Sequence, residues 1–400
     1  MPNEIALLLQ WNGPCADLQH YKVLPVVEGF VLLMVNSVDI YAADYALTMC
    51  NIKREYLSLT NVREIPRFRD QSTLKNSEMA TGMIPEKAIK KQTEAILHAL
   101  NMTLYAETLK ELTGQLPLPN SGDILMTRYT LSTGHELAKS YLLNFFHSLS
   151  DTFEVREEPY VLFRNAQDPY APVTAMDRVA YNIVAEVKGE LFPDEIIIVG
   201  AHFDSTSQIP YERAPGAVDD GSGTAAVLVM ARALSDTIQG LSKKPMRTVR
   251  FVLFSGEEQG ILGSKAYVQG QLQRTPQRVV AAILMDMISY SQRHFGMKVE
   301  GTRDPLNRKL MHGLKSNAKQ YAPNLSVEMT TNSFGSDHVS FQRAGIPAVL
   351  AIELDDTIYP NYHRSTDVFN EHNVNIQQCH DIIRAILSTV IHIAERGIAS

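Results

Sequence analysis

Four short apolar runs, at residues 195–199, 248–254, 279–285 and 348–352, alternate with stretches of helical periodicity at 223–234, 264–272, 306–320 and 375–395. Apart from Glu195, Thr248 and Arg250 the runs are apolar without alternation, so each needs burial on both faces, and the intervening helices are what can cover them. That pattern predicts an α/β fold: a three-layer α/β/α arrangement around a mostly parallel mixed sheet. A further strand is expected at 181–187 and a further amphipathic helix at 134–149. In such sheets, sites form in the crevice at the carboxyl ends of strands. The residues that directly follow each run therefore carry most of the information about chemistry.

The first part of the chain reads differently. Short strands are expected at 4–9, 21–27, 29–35 and 56–59, with turn-forming Asn12-Gly13-Pro14 and Glu28-Gly29 between them. These make a small N-terminal β module over residues 1–70, followed by a larger domain over 71–400. Polar residues 63–76 read as a linker, Pro85 opens a helical pattern through 100, and a second follows at 104–112. The net charge of −7, with no Lys/Arg run interleaved with aromatics, argues against nucleic acid as a partner. No uninterrupted apolar run reaches the ~18 to 20 residues a membrane-spanning helix needs, so no membrane span is expected. Residues 1–9 carry Glu4 and no basic residue, unlike the start of a secretory signal. Cys15 and Cys50 could pair as one disulfide in an oxidising compartment, with three free thiols as the equal alternative.

Acidic and imidazole residues cluster at the strand ends. Gly200-Ala201-His202-Phe203-Asp204-Ser205 follows the first run. His202 can offer an imidazole ligand while Asp204 holds its other nitrogen, although a chance His/Asp meeting reads the same. The turn Ala214-Pro215-Gly216-Ala217-Val218-Asp219-Asp220-Gly221-Ser222-Gly223 then delivers two carboxylates ahead of an apolar helix. A helix cap from Asp220 or Ser222 would account for one acid and leave Asp219 without a role. After 248–254 stands Ser255-Gly256-Glu257-Glu258-Gln259-Gly260. Adjacent carboxylates there repel each other and lose hydration, which a divalent cation would offset; a solvated acidic turn is the competing reading. Asp286 ends the run 279–285, where a charge needs a partner. Ser336-Asp337-His338 precedes the last run and Tyr362-His363-Arg364-Ser365-Thr366-Asp367 follows it. Either histidine could be a ligand, and His338 taken alone reads as structural.

In the order and spacing of these segments over residues 180–370, the chain resembles the co-catalytic dizinc aminopeptidases of the M28 type, typified by bacterial leucyl aminopeptidases. The segments that carry the resemblance are Ala201-His202-Phe203-Asp204-Ser205, Ala214 to Asp220, Glu257-Glu258, Met285-Asp286-Met287, Ser336-Asp337-His338 and His363 to Asp367. It implies the phosphorylase/hydrolase-like zinc-peptidase fold and hydrolysis of the N-terminal bond of peptides that carry a free N-terminus. It also implies two zinc ions, with His202 and Asp286 on one, Glu258 and His363 on the other, and Asp219 bridging. Asp204 would orient His202, and Glu257 would be the general base toward a zinc-bridging water. Met287, Leu350, Ile352 and Tyr362 are expected to line a substrate pocket for an apolar residue, whereas Asp355 and Asp356, if they reached it, would favour Lys or Arg. A monomer is implied, secreted or periplasmic, with a cytoplasmic location as the alternative. The N-terminal module would be propeptide-like or accessory, either a steric guard or a passive packing domain.

The chain departs from the leucyl type at Thr331-Asn332-Ser333-Phe334-Gly335, where such members often carry two cysteines flanking a tyrosine. Oxyanion stabilisation would then come from zinc or from a residue the sequence does not identify. Three other readings compete. A glutaminyl cyclase shares the fold with a single zinc. A carboxypeptidase or deacylase would call for an Arg in a lid domain, and no large insertion lies between Glu258 and Asp286. A non-catalytic binding domain would have lost ligands or base that this chain retains.

Overall fold

The apolar runs form the centre of an eight-stranded sheet in the computed structural model, which describes strands at 4–10, 22–27, 30–36 and 54–55 and residues 85–119, 121–162, 178–272, 277–332 and 335–398. The chain divides into two units, Met1–Ser72 and Thr73–Ser400. In the first, β1 (Glu4–Gln10), β2 (Lys22–Val27), β3 (Phe30–Asn36) and β4 (Arg54–Glu55) pair antiparallel in the order β2-β3-β1-β4, with a register shift between Pro25 and Val27. The strand expected at 56–59, the linker at 63–76, and Cys15 and Cys50 lie outside the described residues.

The second unit contains β5 (Phe153–Leu162), β6 (Arg178–Val187), β7 (Phe192–His202), β8 (Arg247–Phe254), β9 (Arg278–Met285), β10 (Gly296–Glu300), β11 (Ser326–Thr330) and β12 (Ala348–Glu353), in the order β11-β10-β12-β9-β7-β8-β6-β5. The four central strands β12, β9, β7 and β8 are parallel, and they are the four apolar runs. Antiparallel pairings of β6 with β8, β5 with β6 and β10 with β12 complete a mixed sheet. The outer strands β5, β10 and β11 have no counterpart among the expected elements.

Helices cover both faces: α1 (Glu86–His98), α2 (Met102–Leu112), α3 (Thr133–His147), α4 (Ser222–Leu241), α5 (Leu262–Ala266), α6 (Pro305–Tyr321), α7 (His338–Arg343) and α8 (Ile376–Arg396). Because successive side chains of a strand point to opposite faces, β7 feeds two cores. Ile197, Val199 and Ala201 join the larger one, beneath α1 to α4, α6 and α8. Ile196 and Ile198 join the smaller one, with Phe341 of α7 and Tyr267. Helix starts are set by side chains that accept the free N–H groups of the first turn: Asn101 for α2, Ser132 for α3, Asp304 for α6 and Asn375 for α8. The expected helix at 223–234 continues to Leu241, and the one at 264–272 divides into α5 and a wider turn at Tyr267–Leu272. Among the described residues no helix is long and apolar enough to cross a membrane.

Candidate metal centre

The parallel strands end together, and their ends deliver the acidic and imidazole groups to one place. His202 is the last residue of β7, Asp286 directly follows β9, and Glu257 and Glu258 follow β8 after Ser255 and Gly256. Asp219 and Asp220 lie in the tight turn Ala217–Gly221 that opens α4, joined by a cis peptide bond. His363 comes from the loop beyond β12, with a left-handed backbone of φ 54°.

Two imidazoles face opposite oxygens of one carboxylate. His202 Nε2 is 3.2 Å from Asp219 Oδ1, and His363 Nε2 is 3.1 Å from Asp219 Oδ2. Asp286 Oδ1 lies 3.6 Å from His202 Nε2, and Glu258 Oε2 lies 3.1 Å from His363 Nε2. Ligand-type atoms of His202, Asp219 and Glu258 fall within 4.8 Å of one another, as do those of His202, Asp220 and Asp286. The His363 ring is 39% exposed against 1% for His202, so the centre opens to solvent on the His363 side.

Asp204, expected behind His202, has a wider set of contacts. The His202 Nδ1 lies 3.2 Å from the Asp204 carbonyl oxygen and 3.6 Å from its carboxylate. That carboxylate accepts from the N–H groups of Glu257 and Glu258, each at 3.2 Å, and from the Thr130 hydroxyl at 3.0 Å. It therefore anchors the turn that carries both glutamates. Asp220 takes the capping contact, accepting from Gly223 N–H at 2.9 Å and also from Met287 N–H at 3.1 Å. Asp219 is thereby left to face the histidines.

The electrostatics state what the centre lacks. Burial pushes the carboxyls of Asp220 and Glu257 well above the usual range, with neighbouring acids adding to the rise, and it pushes Glu258 up to about 7. Burial works against a charged His363, yet Glu258 and Asp219 hold it at about 11. His202 is likewise held well up by Asp204, Asp219 and Asp286 against its own burial. Buried Nε2 of His202, Oδ1 of Asp286 and Oε1 of Glu258 have no hydrogen-bond partner. Carboxylates crowded around two imidazoles, with ligand atoms unsatisfied and pointing inward, are what divalent cations such as zinc complete. The residues present fit the metal.

Residues to which the sequence assigned no role build the support. Arg128 is fully buried. Its Nε donates to the Phe203 carbonyl at 2.8 Å, Nη1 to the carbonyls of Leu112 at 2.8 Å and of Pro215, and Nη2 to that of Gly216 at 3.0 Å. One guanidinium thus ties the end of β7 to the turn holding Asp219. Gly216 is required in that turn: its φ is +55°, and a Cβ would lie 2.6 Å from the Ser205 Cβ. From the other side, Asp367 accepts from the N–H groups of Val218 and Asp219 at 2.9 and 3.1 Å and from the Tyr359 hydroxyl at 2.5 Å.

The expected pocket residues separate. Leu350 and Ile352 have no exposed surface and belong to the smaller core, and Met287 is 1% exposed. A fully buried strand residue offers no wall to an open pocket, so Leu350 and Ile352 serve packing. Tyr362 is 38% exposed and stacks on the His363 ring at 3.8 Å. Asp355 accepts three backbone N–H groups, from Gln292, Arg293 and His294, and Asp356 pairs with Lys298 at 2.9 Å, so both acids are already engaged. His338 is fully buried at the start of α7. In the departure at 331–335, Ser333 and Phe334 lie outside the described residues.

The model of peptidase family M28 matches residues 182–387. Leucine aminopeptidase 1 of Metarhizium robertsii is 33% identical over 205 residues, 47% of this chain and 49% of that protein. The chain spans about half the length of the curated relatives it matches. The LapA aminopeptidase of Legionella pneumophila superposes with a TM-score of 0.62 at 18% identity, covering 99% of both chains. A glutaminyl cyclase of Bacteroides thetaiotaomicron superposes with a TM-score of 0.56 at 17% identity, covering 73% of this chain and 98% of that one. At such identities the two structures speak for the fold, which is α/β with a mixed sheet.

Proposed function

The chain belongs to peptidase family M28, and on that premise we propose that it is a zinc-dependent aminopeptidase removing the N-terminal residue of peptides. The observation that carries the reading is the Asp219 carboxylate set between His202 and His363, at 3.2 and 3.1 Å. His202 and Asp286 would hold one zinc ion, Glu258 and His363 the second, and Asp219 both. When bound, such a pair supplies Lewis acidity and a water that loses its proton near neutral pH.

The chain's own groups do the rest. Glu257 takes a proton from the attacking water and passes it to the leaving amine. Asp204 keeps Glu257 in place through the backbone N–H it accepts. The excess of carboxylates favours a cationic α-amino group, which restricts cleavage to a free N-terminus. Tyr362 offers the first side chain an apolar surface, and with Asp355 and Asp356 engaged elsewhere, a basic side chain finds no anchor there. A secreted monomer completes the reading, on family likeness alone. The single-zinc cyclase reading is the weaker one, because the shared Asp219 has an imidazole at each oxygen.

The test is Glu257→Gln on the full chain with an aminoacyl anilide. We expect kcat to fall by about 10² to 10⁴ with two zinc ions per chain retained by metal analysis. Activity that survives the substitution removes Glu257 from the mechanism, and a count of one zinc favours the cyclase.

A further inference from the structure

Helix α6 has a charge pattern the metal centre does not use. It carries Arg308, Lys309, His312, Lys315 and Lys319 and no acid at all, in a chain of net charge −7. Its inward face is Leu310, Met311, Leu314 and Ala318, all buried, so the basic residues form the exposed face. Arg308, His312, Lys315 and Lys319 follow the i, i+4, i+7, i+11 spacing of a single stripe, about 16 Å long at the rise of an α-helix.

Beside the start of that stripe lies a groove of about 570 Å³. Arg303, Arg308, Lys309 and His312 form its rim, and Pro305 and Ile398 supply apolar wall. Among the described residues no carboxylate pairs with these basic side chains. Asp304, the adjacent acid, accepts from the N–H groups of Leu306 and Asn307 as the helix cap. The groove is remote from the metal centre. Helix α6 starts beyond the end of β10, where Glu300 pairs with Leu350 near the beginning of β12, and Asn307 donates to the Ala348 carbonyl. The metal centre sits at the opposite, carboxyl ends of the parallel strands.

We infer that this groove and stripe bind an acidic polypeptide segment in extended form. Unpaired cations in a line call for a linear anion, and about five extended residues, at roughly 3.3 Å each, cover the stripe. The Pro305 and Ile398 wall suits an aliphatic side chain between the carboxylates. Among the described residues no Phe, Tyr or Trp lines the groove to stack on a base, which disfavours nucleic acid. The concave shape disfavours a flat lipid surface. The site is independent of the peptidase reading.

The experiment uses the full-length protein and an N-acetylated, fluorescein-labelled peptide of alternating Glu and Leu, followed by anisotropy. We expect saturable binding that weakens as NaCl rises from about 0.05 to 0.5 M. Arg308→Glu with Lys309→Glu is expected to weaken it at least about tenfold, with anilide hydrolysis unchanged. Arg308→Gln with Lys309→Gln gives a smaller loss in the same direction and guards against misfolding, which thermal melts of each variant would reveal. Absence of peptide binding, equal affinity in well-folded variants, or capture of anionic vesicles or single-stranded DNA in preference to the peptide overturns the inference.

Discussion

Replacing Arg128 by Met tests whether a single buried guanidinium holds the Asp219 turn in register. The substitution keeps a long apolar stem and removes every donor. Three carbonyls, of Leu112, Phe203 and Pro215, then lose their partner inside the protein, while that of Gly216 keeps the Gly221 N–H at 2.9 Å. Leaving a buried acceptor unsatisfied costs about 1 to 3 kcal/mol, which for three sums to roughly 3 to 9 kcal/mol before relaxation. Two effects reduce that sum: burial of a charge is itself unfavourable, and water can enter the vacated space. Loss of one partner from a buried charged network leaves a net of about 3 to 5 kcal/mol, a large share of the ~5 to 15 kcal/mol that stabilises a folded domain. The damage also reaches the metal. Because the guanidinium grips Pro215 and Gly216 just ahead of Asp219, zinc affinity is expected to fall about 10- to 100-fold, as for other groups that orient ligands. Arg128→Lys keeps the charge with fewer donors in a different geometry, and should fall between. Urea unfolding of the zinc-saturated variants measures the first effect, and competition against a chromophoric chelator the second. An Arg128→Met protein within about 0.5 kcal/mol of the parent and with unchanged zinc affinity would refute the reasoning.

Two further substitutions probe the same framework. Asp367→Asn turns an amide donor toward N–H groups that now find an acceptor, and should destabilise by about 2 kcal/mol, against about 1 kcal/mol for Tyr359→Phe; thermal unfolding that ranks them in the reverse order rejects the assigned contacts. Burial holds the His338 imidazole down to about 3, so the folded chain keeps it neutral while the unfolded chain takes up a proton below about 6.5. Its contribution is intact above that pH and is lost as pH falls toward 3, by up to about 1.4 kcal/mol per unit. The stability of the parent should thus decline more steeply between these limits than that of a folded His338→Gln variant, and parallel curves count against it.

The central strands and the nature of the chemistry were legible in the sequence, because both depend on local pattern. The middles of β7, β8, β9 and β12, at 196–199, 251–254, 279–285 and 348–352, are buried on both faces, so their residues are apolar and stand out from the chain. The candidate ligands could be found because the chain direction of parallel strands forces whatever follows each run to one end of the sheet. The outer strands were not legible. β5 carries Glu154, Arg156, Glu157 and Glu158 along a partly exposed edge, and β10 and β11 are five residues each. Pairing at an edge rests on backbone hydrogen bonds, which no side-chain pattern announces.

Tertiary structure alone decided which side chains surround the ligands and which are taken up elsewhere. Leu350 and Ile352 were apolar and near the right strand end, yet side-chain alternation turns them into the smaller core. Asp355 and Asp356 were acidic and close in sequence, yet the N–H groups of 292–294 and Lys298 claim them. Arg128, Thr130 and Tyr359 left no trace in the sequence, and Asp367 stood in a matching segment without a role, because what they bind is largely backbone, and backbone carbonyls and amides look alike at every position until the chain is folded.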